Sequence, residues 1–265
     1  MNARATWLRS DAAPMSPENL LALIDNEIPA ISIPGFASAE ECEAFSEAVL
    51  ASPDLHSYSV SIPTHYLGIV VYEYRQGDGR KEEFFREAPK AAAALNAVFV
   101  KSFDPVERFL DIIGKNFSGD ASVAHEPGFG DYCSTVSRVA TGGVHLHADY
   151  APFNSPGWSI GDITAQITWN LYTRRPASGG QTTVFNKPWT PGPGEDPARG
   201  LANDEVLSDP ETERYTFEPK VGEVVMFNPR NPHVIAPGDG GTGGDRITIG
   251  SFMGMTKSRD LVMWG

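Results

Sequence analysis

His147, Ala148 and Asp149 close a stretch in which apolar and polar residues alternate. On a strand, residues i and i+2 project to the same side, so this spacing turns an imidazole and a carboxylate towards one point. That is two ligands of a metal site. His233, at the start of another strand-like segment, offers a third. Two histidines and one carboxylate fill one face of an octahedron and leave three positions open, the arrangement that non-haem Fe(II) uses to take a chelating co-substrate and dioxygen. Any one histidine alone reads more simply as a hydrogen-bonded polar residue; that reading weakens as the following features coincide.

Arg246 and Thr248 lie one strand beyond His233 and again share a face. A guanidinium presents two parallel donors to a carboxylate, and a threonine hydroxyl adds another. The pair can hold the far carboxylate of a dicarboxylic acid whose other end chelates the metal. A surface arginine is the alternative, but the flanking Ile247, Ile249 and Phe252 read as buried.

The elements that must position these residues follow from period and punctuation. From residue 132 onward the pattern has period two, with candidate strands at 132–139, 144–149, 163–172, 181–185, 214–217, 223–228, 233–235 and 246–253. Eight short strands in this span indicate a sandwich or barrel. Gln166, Thr168 and Asn170 alternate with Ile167, Trp169 and Leu171, so one face of that strand is polar and either lines a cavity or meets solvent. The Pro/Gly-rich segments 188–210 and 237–245 read as loops, the first as a lid or a passive loop. The glycines of the second do not make a phosphate loop, because no Gly-Lys-Ser/Thr follows.

Residues 1–131 read differently. A short β run starts at Pro29, and Ser38 with Glu41 forms a capping box that opens a helix to about Ala51. Residues 67–74 read as a strand and 88–113 as one or two helices. These are expected to buttress a sheet.

The motifs together resemble the Fe(II)/2-oxoglutarate-dependent dioxygenases: His-x-Asp, a distal His, Arg-x-Thr one strand later, and the Gly179-Gly180 turn running into Gln181–Asn186. The match is nearer the branch of N-acyl amino acid β-hydroxylases and alkaloid-type aliphatic halogenases, to which the tail from Ile249 to Trp264 is also similar. The resemblance implies a mainly β fold with flanking helices, a double-stranded β-helix or jelly-roll core over 132–265, and a single domain spanning 1–265. It implies Fe(II), 2-oxoglutarate and O2 as cofactors, His147, Asp149 and His233 as catalytic metal ligands, and Arg246 and Thr248 as the co-substrate anchor, with Gln166 and Thr168 beside them. Substrate contacts fall to Arg138, Tyr150, Phe153 and Trp158, the last three in a loop after Asp149 where aromatics also form small local cores. Arg138 reads equally as a surface ion-pair residue. Halogenases of this branch carry a small residue where Asp149 stands, so its retention favours hydroxylation, with release of succinate and CO2. Desaturation, epimerisation and cyclisation use the same centre.

His145 keeps a second reading open. His145 and His147 form an HxH pair like that of a cupin metal site, and 219–222 with Pro232-His233 is similar to the second cupin motif. No glutamate follows His147 at the short spacing a cupin needs, which favours the set with Asp149 over a non-catalytic cupin-like binding protein.

Composition bounds the partners. The chain of 265 residues carries 21 Lys+Arg against 34 Asp+Glu, a net charge of −13 that repels nucleic acid and anionic membranes. No apolar run is long enough to span a bilayer and none near the start suits a secretory signal, so the expectation is a cytoplasmic protein acting on a small molecule. Cys42 and Cys133 stand far apart with no CxxC, which rules out a disulfide framework or a thiolate zinc site.

Overall fold

The computed structural model describes residues 6–58, 64–140, 142–192, 205–239 and 245–265. Among the described residues, four helices precede the core: α1 (Pro17–Ile24), α2 (Ala39–Leu50), α3 (Arg80–Phe99) and α4 (Pro105–Asn116). The capping box is present at α2: Ser38 Oγ accepts from the Glu41 N–H while the Glu41 carboxylate accepts from the Ser38 N–H. The helical stretch expected at 88–113 is two helices, because Asp104 accepts from the N–H groups of Val106 and Glu107 and Pro105 takes the first helical position.

Eleven strands carry the argument. They are β1 (Ile31–Ile33), β2 (Thr64–Leu67), β3 (Val136–Ala140), β4 (Val144–His147), β5 (Ala165–Arg174), β6 (Thr182–Phe185), β7 (Arg214–Phe217), β8 (Val224–Phe227), β9 (His233–Ile235), β10 (Arg246–Met255) and β11 (Leu261–Trp264). The main sheet runs β1-β8-β5-β10-β3-β2, with β11 also on β10; the smaller sheet runs β7-β6-β9-β4. From β3 to β10 the chain passes back and forth between the two sheets, and every core pairing is antiparallel. This is the double-stranded β-helix, or jelly roll, expected from the sequence.

Three expectations need correction. The run 67–74 is not a strand: β2 ends at Leu67, Gly68 turns the chain at φ +118° where a Cβ would crowd the Thr135 carbonyl, and Val71–Glu73 forms a 3-10 turn. Ile69, Val70 and Val71 are buried by side-chain packing without strand pairing, while Tyr72 is exposed. The strand expected from residue 132 begins at Val136. The N-terminal third also does more than buttress, since β1 and β2 extend the main sheet on its two sides. β11, which pairs with β10, had no strand expectation. The segments 188–210 and 237–245, both expected as loops, lie partly outside the described residues.

The alternation on β5 organises the molecule. Its outer face packs under the helices: Trp169 stacks on Phe109 of α4 with ring centroids 4.3 Å apart and planes 17° apart, and Thr173 accepts a buried hydrogen bond of 2.9 Å from Ser46 of α2. Its inner face turns Gln166, Thr168, Asn170 and Tyr172 into a cavity between the sheets. One apolar cluster draws on residues from Ala13 to Trp264, so helices and sheet share a core. Both cysteines are free and buried. Among the described residues no helix is long and apolar enough to cross a membrane.

Candidate metal centre

β4 and β9 pair antiparallel with His147 directly opposite His233. The side chains of such a pair stand on one face, and the two imidazole centroids are 4.1 Å apart. Asp149 lies just beyond the end of β4, where its N–H donates to the Pro229 carbonyl at 2.8 Å. Its Oδ2 is 3.7 Å from His147 Nε2 and 3.9 Å from His233 Nε2. The three side chains each offer one ligand atom, all within 4.8 Å of one another.

The chemistry of this donor set fits a metal. His147 Nδ1 faces the His145 carbonyl at 2.8 Å and His233 Nδ1 the Asn231 carbonyl at 3.0 Å. Nδ1 is therefore the protonated nitrogen in each ring, and both Nε2 lone pairs converge on the carboxylate. Burial, and then the neighbouring His147 imidazole, push the pKa of His233 down to about 3, against the opposing pull of Asp149. His233 is thus neutral at physiological pH, as a ligand must be. Phe227 packs edge-on against its ring at 5.0 Å. His145 lines the cavity, yet among the described residues the converging donors are His147, Asp149 and His233; His145 contributes its carbonyl to the site.

The cavity above these residues measures about 430 Å³, within the range of small-molecule sites. Arg246 and Thr248 project into it from β10 and are buried. No carboxylate among the described residues pairs with Arg246, and burial lowers its pKa, with Arg138 adding to the effect. Thr248 is flanked across the sheet by Tyr172 on β5 and Arg138 on β3. Gln166 and Thr168 also line the cavity, already bonded within the protein: Gln166 Oε1 accepts from the Ala151 N–H at 2.8 Å, and Thr168 Oγ1 donates to the Ser251 carbonyl at 3.0 Å.

Of the residues expected to meet substrate, Arg138 and Tyr150 line the cavity and two do not. Phe153 lies between Tyr150 and Trp189 at 5.0 and 5.6 Å. Trp158 is buried among Phe84, Phe85 and Tyr132. Phe153 joins a small cluster with Tyr150 and Trp189, whereas Trp158, which follows the short helix Ala151–Asn154, is part of the main apolar core.

The sequence reading overlooked the loop that leads into His233. Pro229 holds Asp149, Asn231 holds His233, and Arg230 donates to the Trp189 carbonyl at 2.9 Å while its guanidinium covers the Tyr150 ring at 4.6 Å. The signal was the Asn-Pro-Arg-Asn-Pro run at 228–232, which restricts the backbone just where two ligands must be fixed.

The family model described as carrier-protein-independent halogenase WelO5 matches residues 6–265. The chain belongs to this family. Among similar curated proteins, the WelO5-family chain is 28% identical over 215 residues to leucinostatins biosynthesis cluster protein S of Purpureocillium lilacinum, covering 76% of this chain and 83% of that protein. It is 30% identical over 168 residues to L-gamma-glutamyl-L-propargylglycine hydroxylase of Streptantibioticus cattleyicolor, covering 61% of this chain and 59% of the hydroxylase. Among solved structures, an N-substituted L-amino acid dioxygenase of Burkholderia ambifaria superposes with TM-score 0.61 at 15% identity, covering 94% of this chain and 91% of that one. HygX of Streptomyces hygroscopicus, solved with nickel and 2-oxoglutarate, gives 0.52 at 16% identity, covering 91% and 87%. At these identities the likeness is one of fold. Family and fold agree with the Fe(II)/2-oxoglutarate oxygenase superfamily indicated by the motifs.

Proposed function

We propose that this protein is a non-haem Fe(II)/2-oxoglutarate-dependent hydroxylase that acts on an unactivated C–H bond of a small molecule, of the amino acid, acylated amino acid or natural-product kind. The observation that carries the reading is the Asp149 carboxylate, set between the Nε2 atoms of His147 and His233. Halogenases of the resembled branch have a small residue there, which leaves room for a halide; a carboxylate does not. Hydroxylase and dioxygenase relatives named for amino acid derivatives support the substrate class.

With iron bound, the chemistry supplied is oxygen insertion: one atom of O2 enters the substrate C–H to give an alcohol, the other enters succinate, and CO2 leaves. The protein's own residues do the positioning. His147 and His233 would hold the metal through Nε2, with ring orientations fixed by the His145 and Asn231 carbonyls. Asp149 supplies the charged ligand. Arg246 forks onto the far carboxylate of 2-oxoglutarate and Thr248 adds its hydroxyl. Gln166 steadies the loop after Asp149 through Ala151, and Thr168 completes the wall. Tyr150 covers one side beneath Arg230. Residues 1–131 and 132–265 act as one unit.

The test is anaerobic addition of Fe(II) and then 2-oxoglutarate, watching the weak visible charge-transfer band of a chelated 2-oxo acid. A band in the native protein that is absent in His233→Ala is expected. Bound metal without a band in the native protein would overturn the assignment in favour of a cupin-like binding protein.

A further inference from the structure

The cavity holds more positive charge than a metal and its co-substrate neutralise. Arg246 and Arg138 both project into it, and the Arg138 charge helps to lower the Arg246 pKa, so the two guanidiniums repel each other across a shared space. Among the described residues neither has a carboxylate within ion-pair distance, and the acidic side chain on the cavity wall is Asp149. A divalent metal with Arg246 is balanced by Asp149 with the dianion of 2-oxoglutarate. Arg138 is left over. A cation facing a confined cavity without a counter-charge is costly, and an anion that fills the cavity removes that cost.

Arg138 is also built to receive such an anion. It sits on β3 between Thr248 on β10 and Tyr66 on β2, so it flanks the proposed co-substrate anchor on the side away from β5. Its Nε donates to the Tyr58 hydroxyl at 3.0 Å. Tyr58 is in turn packed on Tyr66 at 4.4 Å, which restrains the guanidinium. Among the described residues no acceptor engages its two terminal nitrogens, the pair that fits a carboxylate bidentately.

Resting on the hydroxylase reading above, we propose that the substrate enters as a carboxylate anion and that Arg138, braced by Tyr58, binds that carboxylate as a specificity-determining residue separate from the co-substrate anchor. Neutral scaffolds are then poor substrates, and the apolar remainder of an accepted molecule lies towards Phe252 and Trp264, which also line the cavity.

The test loads the protein anaerobically with Fe(II) and 2-oxoglutarate and titrates it calorimetrically with a panel of N-acetyl-L-amino acids, each as the free acid and as its methyl ester. At least one free acid is expected to bind at least tenfold more tightly than its ester. In Arg138→Gln that difference should vanish while 2-oxoglutarate affinity stays within about twofold, and Arg138→Lys should restore part of it. Equal binding of acids and esters, no binding of any acid, or an acid preference that survives in Arg138→Gln would each overturn the proposal. So would loss of 2-oxoglutarate binding in Arg138→Gln, which would move Arg138 into the co-substrate site. Failure of the native protein to bind 2-oxoglutarate at all would overturn the hydroxylase reading itself.

Discussion

His147 and His233 stand opposite one another in an antiparallel ladder, so the pairing of β4 with β9 and the assembly of the two imidazoles are one event. Asp149 joins them from outside the ladder. His233→Ala removes a donor and is expected to weaken Fe(II) binding at least a hundredfold, measured by metal titration under anaerobic conditions. Asp149→Ala keeps both imidazoles and is expected to abolish substrate hydroxylation while the protein stays folded, measured by product analysis beside a thermal melt. Full activity in Asp149→Ala would disprove the ligand assignment.

Arg246 is buried with no carboxylate partner among the described residues. Truncating one member of a buried, hydrogen-bonded charge pair costs roughly 2–5 kcal/mol. Arg246→Ala is therefore expected to weaken 2-oxoglutarate binding by at least about thirtyfold in calorimetry, with Fe(II) binding unchanged. Arg246→Lys should recover only part, since an ammonium cannot reproduce the fork.

Glu41 links α2 to α4: its carboxylate takes Arg108 through both oxygens, at 2.6 and 2.9 Å, and also accepts from the Ser38 N–H. The Arg108 hydrogen bond outweighs partial burial and holds its pKa down to about 2. Between the unfolded value near 4.5 and the folded value, the unfolded chain binds the proton more readily, so stability falls as pH falls through that window. Glu41→Gln should lower the melting temperature at pH 7, and its deficit relative to the native protein should shrink as pH drops from about 5 towards 2. A deficit constant over that range would show that the carboxylate charge contributes nothing.

Phe109 lies flat against Trp169, and both are fully buried. Removing a buried phenyl ring costs about 3–5 kcal/mol when the cavity left behind cannot collapse. Phe109→Ala should show that loss in urea unfolding. Because Trp169 stands on the outer side of β5, Fe(II) affinity should change little in the protein that remains folded.

The parts of the site that were legible in the sequence are those set by short-range geometry. Arg246 and Thr248 needed only the two-residue repeat of a strand; His147 lies on the expected strand, whereas Asp149 reaches the same point from just beyond its end, and the polar row from Gln166 to Asn170, which read equally as cavity wall or solvent face, lines the cavity because helices bury the opposite face. Strand limits were legible to within about two residues where the alternation was clean, as at β7 and β9, which lie where expected. Other features depend on tertiary context. Nothing local distinguishes Gly68 as a chain reversal from Gly68 within a strand, because the neighbours that leave no room for a side chain there, Leu95, Thr135 and Val136, are distant in sequence. Trp158 looked like a substrate contact because an aromatic after a ligand could face either way, and the Phe84, Phe85 and Tyr132 rings that claim it lie far off in sequence. β11 was overlooked because a four-residue strand at a sheet margin carries almost no periodic signal.

The Asp149 backbone is anchored to Pro229 rather than to a neighbouring strand. Its side chain is therefore an interchangeable fitting on a finished frame. Whatever side chain stands at this position, the backbone that carries it stays tied to the loop before His233, and the pairing of β4 with β9 does not depend on it.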